Sequence, residues 1–306
     1  MARALAVAGR DQSPAVLDVA VPNPGPGQIR VAVEAASLNG IDAATGSGQL
    51  WDSVPHRFPV ILGRDFAGTV ERVGPGVATI RPRDRVAGVI TGMTLARGAL
   101  ADTIIFDARS VAPLPEGITE EQAAAAGLAA LTAKALVDAL ALTPSDTVLV
   151  AGATGGVGAY ALQFARSLGA TVYATARPGE PTEFVRGLGA NETLDYTDGG
   201  FSAPSGLTAI VHAAGDATAL AALLPAGGRL SSALGASTTA VGRSDITVTP
   251  VMPTATPEAL STILDAIASG TLRVPITHTY AMAEAPQALA DFGNHKLGKL
   301  VVDTRR

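Results

Sequence analysis

The stretch "DTVLVAGATGGVGAYALQFARSL", residues 146–168, decides the fold. An apolar strand-like run, "TVLVAGA", leads into glycines at positions 152, 155, 156 and 158, and the helical pattern "VGAYALQFARSL" follows. The hexamer "ATGGVG" sets Ala153, Gly155 and Gly158 at the three glycine positions of the dinucleotide fingerprint GxGxxG. Gly155 lets the backbone approach a pyrophosphate, whose charge is favoured at a helix N-terminus, and Gly158 lets helix and strand pack closely. The expected cofactor contacts of this turn are Gly152, Thr154, Gly155, Gly156 and Val157. The same letters alone also fit a tight turn with no ligand; the flanking strand and helix favour the nucleotide.

The alternation continues beyond the turn. "TVYATAR" reads as a strand, "PTEFVRGL" as a helix, "TAIVHAAG" as a strand, "ATALAALL" as a helix and "GRLSSALG" as a strand. That rhythm predicts an α/β domain with a doubly wound parallel sheet. An NAD site ends its second strand with Asp or Glu, which bonds the ribose 2′-hydroxyl. Here the strand ends in Ala176 and Arg177, so no carboxylate repels a 2′-phosphate and a guanidinium is available to pair with one. The expected cofactor is NADPH, with Arg177 reading its phosphate.

Residues 1 to about 115 are β-rich. "IRVAVEAASL", "DFAGTVERVG" and "DRVAGVI" alternate between glycine and proline turns and predict a partly closed antiparallel barrel. Thr119 and Gln122 fit a capping box opening a long Ala/Leu-rich helix. The C-terminal part predicts a helix at "TPEALSTILDAIASG", a strand at "ITHTYAM", a helix near "EAPQALADFG" and a strand at "GKLVVDT". The expected domains are 1–118, 119–252 and a return segment 253–306.

Composition narrows the function classes. The chain has 306 residues, 47% hydrophobic and 16% charged, with a net charge of −5. Nothing basic is offered to nucleic acid or an anionic membrane. No run of 18 apolar residues without breakers is evident, and the N-terminus "MARALAV" lacks a long apolar core, so neither a spanning helix nor a signal peptide is expected and the cytoplasm is the default location. Cysteine is absent, which excludes disulfides and thiolate metal sites. The four histidines, His56, His212, His278 and His295, share no metal-binding spacing, and no metal is expected. His212 either points into the ligand end of the sheet or is a satisfied structural histidine.

Six segments together carry a resemblance over nearly the whole length. "LNGIDAATGSG" resembles N-P-x-D/E-x-x-x-R-x-G, and "FPVILGRDFAGTVERVGPGV" resembles P-x-x-x-G-x-D-x-A-G-x-V-x-x-V-G. "RDRVAG", "GLAALTA", "LGANETLDYTD" and "HKLGKLVVD" follow in the same order. They resemble the zinc-free medium-chain dehydrogenase/reductases of the quinone oxidoreductase group. The resemblance implies a GroES-like barrel domain plus a Rossmann domain, an active site in the cleft between them, and a homodimer. It implies hydride transfer from NADPH to a quinone or an activated alkene such as an enone. It also implies roles for Asn39 at nicotinamide and substrate, Thr132 at the carboxamide, Tyr196 near the 2′-phosphate, Leu234 and Gly235 along the nicotinamide, and Lys299 at the cofactor or cleft. Asp42 either shapes the cleft or caps a helix.

The departures are informative. The zinc-ligand places of metal-dependent relatives fall at Asn39, Arg64 and near Leu128, and none is a good zinc ligand. Without that Lewis acid, an acceptor that is already polarised fits better than an alcohol or ketone. Leu50 stands where some relatives carry a tyrosine, and Gly46 replaces the segment's arginine. Trp51 offers a flat wall for a ring or ordinary barrel packing. No general acid is evident, so the product proton is expected from solvent. Two other readings stay open: an enoyl-thioester reductase of a biosynthetic pathway, and a non-catalytic NADPH-binding redox sensor.

Overall fold

A computed structural model describes residues 1–306 apart from 93, 198–200, 295 and 296. His295, and with it the start of the closing motif, therefore lies outside the described residues. The chain divides into two compact units, Met1–Leu128 with Thr254–Arg306, and Ala129–Pro253. The first division falls inside the long helix Glu120–Leu140.

The first unit is built on the ten-residue strand Gln28–Ser37. One edge pairs antiparallel with Asp65–Val73, which continues through Arg85–Val89 to Val111–Pro113. The other edge is shared: Gln28–Ala32 pairs with Thr103–Asp107, and Ala35–Ser37 with Asp303–Val301 of the final strand. That final strand, Lys299–Asp303, lies between Gln28–Ser37 and Ile276–Ala281. A smaller antiparallel sheet joins Ala2–Val7, Ala15–Val19 and Val60–Ile61. Inward residues including Leu5, Ile29, Val31, Phe66, Val86, Leu100 and Val302 form one core. This is the predicted GroES-like barrel.

The second unit is the predicted Rossmann domain. Its sheet runs Glu192–Leu194, Thr171–Thr175, Thr147–Ala151, Leu207–His212, Arg229–Ser232, Thr247–Pro250, with every pairing parallel. Strand order reverses about Thr147–Ala151, which places the switch point at the glycine turn. The edge strand Thr247–Pro250 was not expected; it is four residues long and ends on proline, so periodicity has little to grip.

Helix Glu120–Leu140 is the most apolar long helix among the described residues. Its 21 residues are long and apolar enough, by length and composition, to cross a membrane, with a mean hydropathy of 1.5 over its best window. The charged and glycine residues Glu120, Glu121, Gly127, Lys134 and Asp138 hide this in the raw sequence. Within the protein 72% of that window is buried, and small residues such as Ala124, Ala126 and Ala130 let neighbours approach. A helix with most of its circumference apolar suits a core position, and its Lys134 and Asp138 pair on the solvent side. The capping box forms as predicted: the Gln122 amide donates to Thr119 Oγ1 at 3.2 Å, and the Thr119 amide to Gln122 Oε1 at 2.9 Å.

Candidate functional site

In the second unit, Thr147–Ala151 delivers the chain to Gly152, whose φ of +83° suits glycine. The Gly152 amide donates to Thr175 Oγ1 at 2.9 Å, which ties the turn to the neighbouring strand. Gly155 caps helix Gly156–Ser167 from an extended conformation. A Cβ on Gly158 would sit 2.2 Å from Gly152 O and 2.7 Å from Ala153 Cα. Only glycine permits this helix–strand approach. A Cβ on Gly155 would meet nothing nearer than Gly152 O at 3.4 Å, so its Cα faces open space. The first amides of the helix have no intrahelical acceptor and carry partial positive charge. Thr154, Gly155 and Val157 are half-buried around this turn, and Gly156 is buried.

Arg177 follows the end of strand Thr171–Thr175 and is half-buried. Its carbonyl accepts from Thr182 Oγ1 at 3.0 Å, while its guanidinium has no partner among the described residues. Tyr196 is 46% exposed, beyond strand Glu192–Leu194. Leu234 is 61% exposed and Gly235 has φ +78°, both past the end of Arg229–Ser232. Thr132 is buried within the long helix.

The first unit gathers a different set. Asp65 is fully buried; its Oδ2 accepts from Ser37 Oγ at 2.6 Å and Asn39 Nδ2 at 2.8 Å, and its Oδ1 from the Leu128 amide at 2.7 Å. Lys299 Nζ lies 3.8 Å from Asp65 Oδ2 and donates to Leu38 O at 2.8 Å and Asn39 Oδ1 at 2.7 Å. Burial pulls the Lys299 ammonium below its ordinary range, opposed by the charges of Asp65 and Asp42. The Asn39 amide is thus held at both ends inside the unit, its oxygen to Lys299 and its nitrogen to Asp65. Asp65 and Ser37 were not singled out from the sequence; the signal is a carboxylate standing beside apolar Phe66 and Ala67 at the start of a buried strand.

Asp42 lies three residues into the turn of helix that Asn39 opens. Its Oδ2 accepts from the Asn39 amide at 2.9 Å and its Oδ1 from the Gly63 amide at 2.8 Å. These bonds cap the helix and pin the Gly63 turn to it. Burial pushes its carboxyl up to about 6 from 3.8, while the two amides pull it down. A raised acid holds its proton in the folded state over a range where the unfolded chain has lost it, so stability from this group falls as pH rises through that range. Between about pH 4 and 6 the wild type should lose stability relative to Asp42→Asn, with the difference flat above. Denaturation followed by Trp51 fluorescence checks this, since Trp51 is the single tryptophan and lies in the first unit's core. A constant difference across that range refutes it. Trp51 itself packs on His56 and Phe58, with ring centroids 5.1 and 5.2 Å away.

A strand–glycine-turn–helix at the switch point of a parallel sheet, joined to a GroES-like barrel, defines an oxidoreductase of dehydrogenase type. The alcohol dehydrogenase GroES-like domain matches residues 25–116, and the zinc-binding dehydrogenase domain residues 188–302. The chain belongs to the medium-chain dehydrogenase/reductase family. A mycocerosic acid synthase-like polyketide synthase of Mycobacterium tuberculosis is 33% identical over 92% of this chain, which spans 14% of that protein. A quinone oxidoreductase from Coxiella burnetii superposes with a TM-score of 0.89 over 99% of both chains at 24% identity, a likeness of fold. A mycobacterial protein solved in complex with NADPH superposes at 0.81, with 29% identity over 99% of both chains.

The second family's name implies zinc, and the residues here do not fit it. Asn39 is engaged by Lys299 and Asp65, Arg64 is a buried guanidinium held by Ile90 O and Gly92 O, and Leu128 offers no ligand atom. Among the described residues no three His, Asp or Glu side chains group as a metal site would.

Proposed function

We propose that the chain is an NADPH-dependent, zinc-independent reductase acting on a small molecule with an electron-poor double bond, a quinone or a conjugated enone. The observation that carries the reading is the Gly152–Gly158 turn with Arg177 beyond the next strand, its guanidinium without a partner among the described residues. NADPH, when bound, supplies the hydride. The amides opening helix Gly156–Ser167 hold its diphosphate, and the Arg177 guanidinium pairs with its 2′-phosphate. The chain supplies orientation, and proximity contributes much of the rate. Asp42 and Lys299 are committed to internal hydrogen bonds, so the product proton is assigned to solvent.

One specific observation favours a narrower acceptor. The relative named a mycocerosic acid synthase-like polyketide synthase matches 92% of this chain, and an enoyl thioester carries the same kind of electron-poor double bond as an enone. Turnover of enoyl thioesters with quinones inert selects that acceptor; the reverse selects quinones. Tight NADPH binding with no acceptor oxidising it selects a redox sensor instead.

Arg177→Ala is expected to weaken NADPH binding by about 1.5–3 kcal/mol while leaving NADH unchanged. Calorimetric Kd values for both coenzymes check it. Equal loss for both would mean that Arg177 does not read the phosphate.

A further inference from the structure

His212 ends the strand Leu207–His212 at the carboxyl edge of the parallel sheet, 2% exposed. The mechanism above does not use it. Its Nδ1 lies 2.9 Å from Ser232 Oγ and its Nε2 3.0 Å from Gly215 O. Ser232, fully buried on the adjacent strand, also accepts two backbone amides at Oγ, from Leu234 and Ala236, each at 3.1 Å. Those amides use both lone pairs of the hydroxyl, so its hydrogen is left to donate to His212 Nδ1. The ring then carries its own proton on Nε2 and donates it to the Gly215 carbonyl. With the ring proton on Nε2, the Ser232 hydroxyl, both ring nitrogens and the Gly215 carbonyl are all satisfied together.

The network binds two loops to one ring. One is Ala213–Gly215, against which the glycine turn closes: a Cβ on Gly152 would lie 2.8 Å from Ala214 Cβ and 3.1 Å from Ala213 C. The other carries the exposed Leu234 and Gly235, and the Ala233 amide adds a bond to His212 O at 3.0 Å. Sheet order gives the direction. Thr171–Thr175, with Arg177 beyond it, lies on one side of the central strand, and Leu207–His212 and Arg229–Ser232 lie on the other. A dinucleotide with its diphosphate on the central turn and its 2′-phosphate towards Arg177 extends its other half over the loops that His212 holds.

We propose that His212, through the Ser232 hydroxyl, is a positioning residue for the nicotinamide half of the cofactor. This rests on the NADPH reading. It acts by fixing the two loops and not by touching the reacting atoms. The imidazole supplies a matched acceptor and donor across the two strand ends, which an apolar residue of the same size lacks. Without it, the Ser232 hydroxyl turns elsewhere, and the Leu234 and Ala236 amides lose their common acceptor.

The test compares NADPH with its fragment lacking the nicotinamide ring, 2′-phospho-adenosine diphosphoribose, by calorimetry on the full chain. Ser232→Ala and His212→Leu are expected to raise the NADPH Kd about tenfold, the loss of one or two loop-anchoring hydrogen bonds. The fragment Kd should move less than about twofold, a split that general destabilisation does not produce. His212→Asn, which keeps an acceptor near the position of Nδ1, should restore most of the NADPH affinity. If His212→Leu does not fold, Ser232→Ala and His212→Asn carry the comparison. Unchanged NADPH affinity in Ser232→Ala, or equal losses for NADPH and fragment, overturns the inference while leaving the cofactor reading intact. Failure of the wild type to bind either molecule overturns that reading and the inference with it.

Discussion

Replacing Asp65 with alanine is expected to cost the first unit about 3–5 kcal/mol. The carboxylate is fully buried and is the shared acceptor for Ser37 Oγ, Asn39 Nδ2 and the Leu128 amide, with the Lys299 ammonium 3.8 Å away. Its removal takes a shared acceptor from three donors and leaves the buried Lys299 ammonium without its nearest counter-charge, which is far more costly than never having had the pair. The double variant Asp65→Leu with Lys299→Met should recover part of the loss, because it removes the orphaned charge. Urea unfolding followed by Trp51 fluorescence reports on this unit, since the single tryptophan is packed in its core. A loss below about 1 kcal/mol for Asp65→Ala would show that the network contributes no more than surface ion pairs do.

Gly158→Ala is expected to destabilise the second unit by about 3 kcal/mol and to abolish measurable NADPH binding. The added methyl would need the 2.2 Å between its built position and Gly152 O, and both neighbours are backbone atoms that no rotamer change can move. Helix Gly156–Ser167 must therefore shift away from Thr147–Ala151, carrying its N-terminal amides off the turn. Hydrogen exchange over residues 147–167 should accelerate in the variant, with the first-unit strand Asp65–Val73 unaffected. Wild-type exchange and affinity in Gly158→Ala would mean that the helix has room which the structure denies it.

What the sequence disclosed follows from how local each feature is. The glycine turn, the Thr119–Gln122 box and the four inner parallel strands are written in runs of neighbouring residues, and each stands where it was expected; the two short edge strands were not read from the sequence. Helix Pro257–Ala268 likewise declares itself through Thr256 as cap, Pro257 in the first turn and Leu260, Ile263, Leu264 and Ile267 on one face. The first unit's polar network is a different matter. Asn39 meets Asp65 across 26 residues and Lys299 across 260, and no local pattern encodes such a meeting. Lysines are usually solvated, so a lone Lys opening the apolar strand Lys299–Asp303 carries little weight until its partners are seen. The His212–Ser232 bond was hidden for a subtler reason. It depends on the register between two parallel strands, which pairs His212 directly with Ser232.

The position of strand Lys299–Asp303 beside Gln28–Ser37 has a consequence for biosynthesis. The early strands emerge from the ribosome long before the one that completes their sheet edge, with roughly 170 residues still to be made after Leu128. At ~5–20 residues per second that wait lasts roughly 10–35 s, during which the inserted Rossmann segment can fold as a unit of its own. The nascent chain must meanwhile keep an unfinished hydrophobic edge from pairing with its neighbours on the same polysome, which makes this interval the natural point of chaperone dependence.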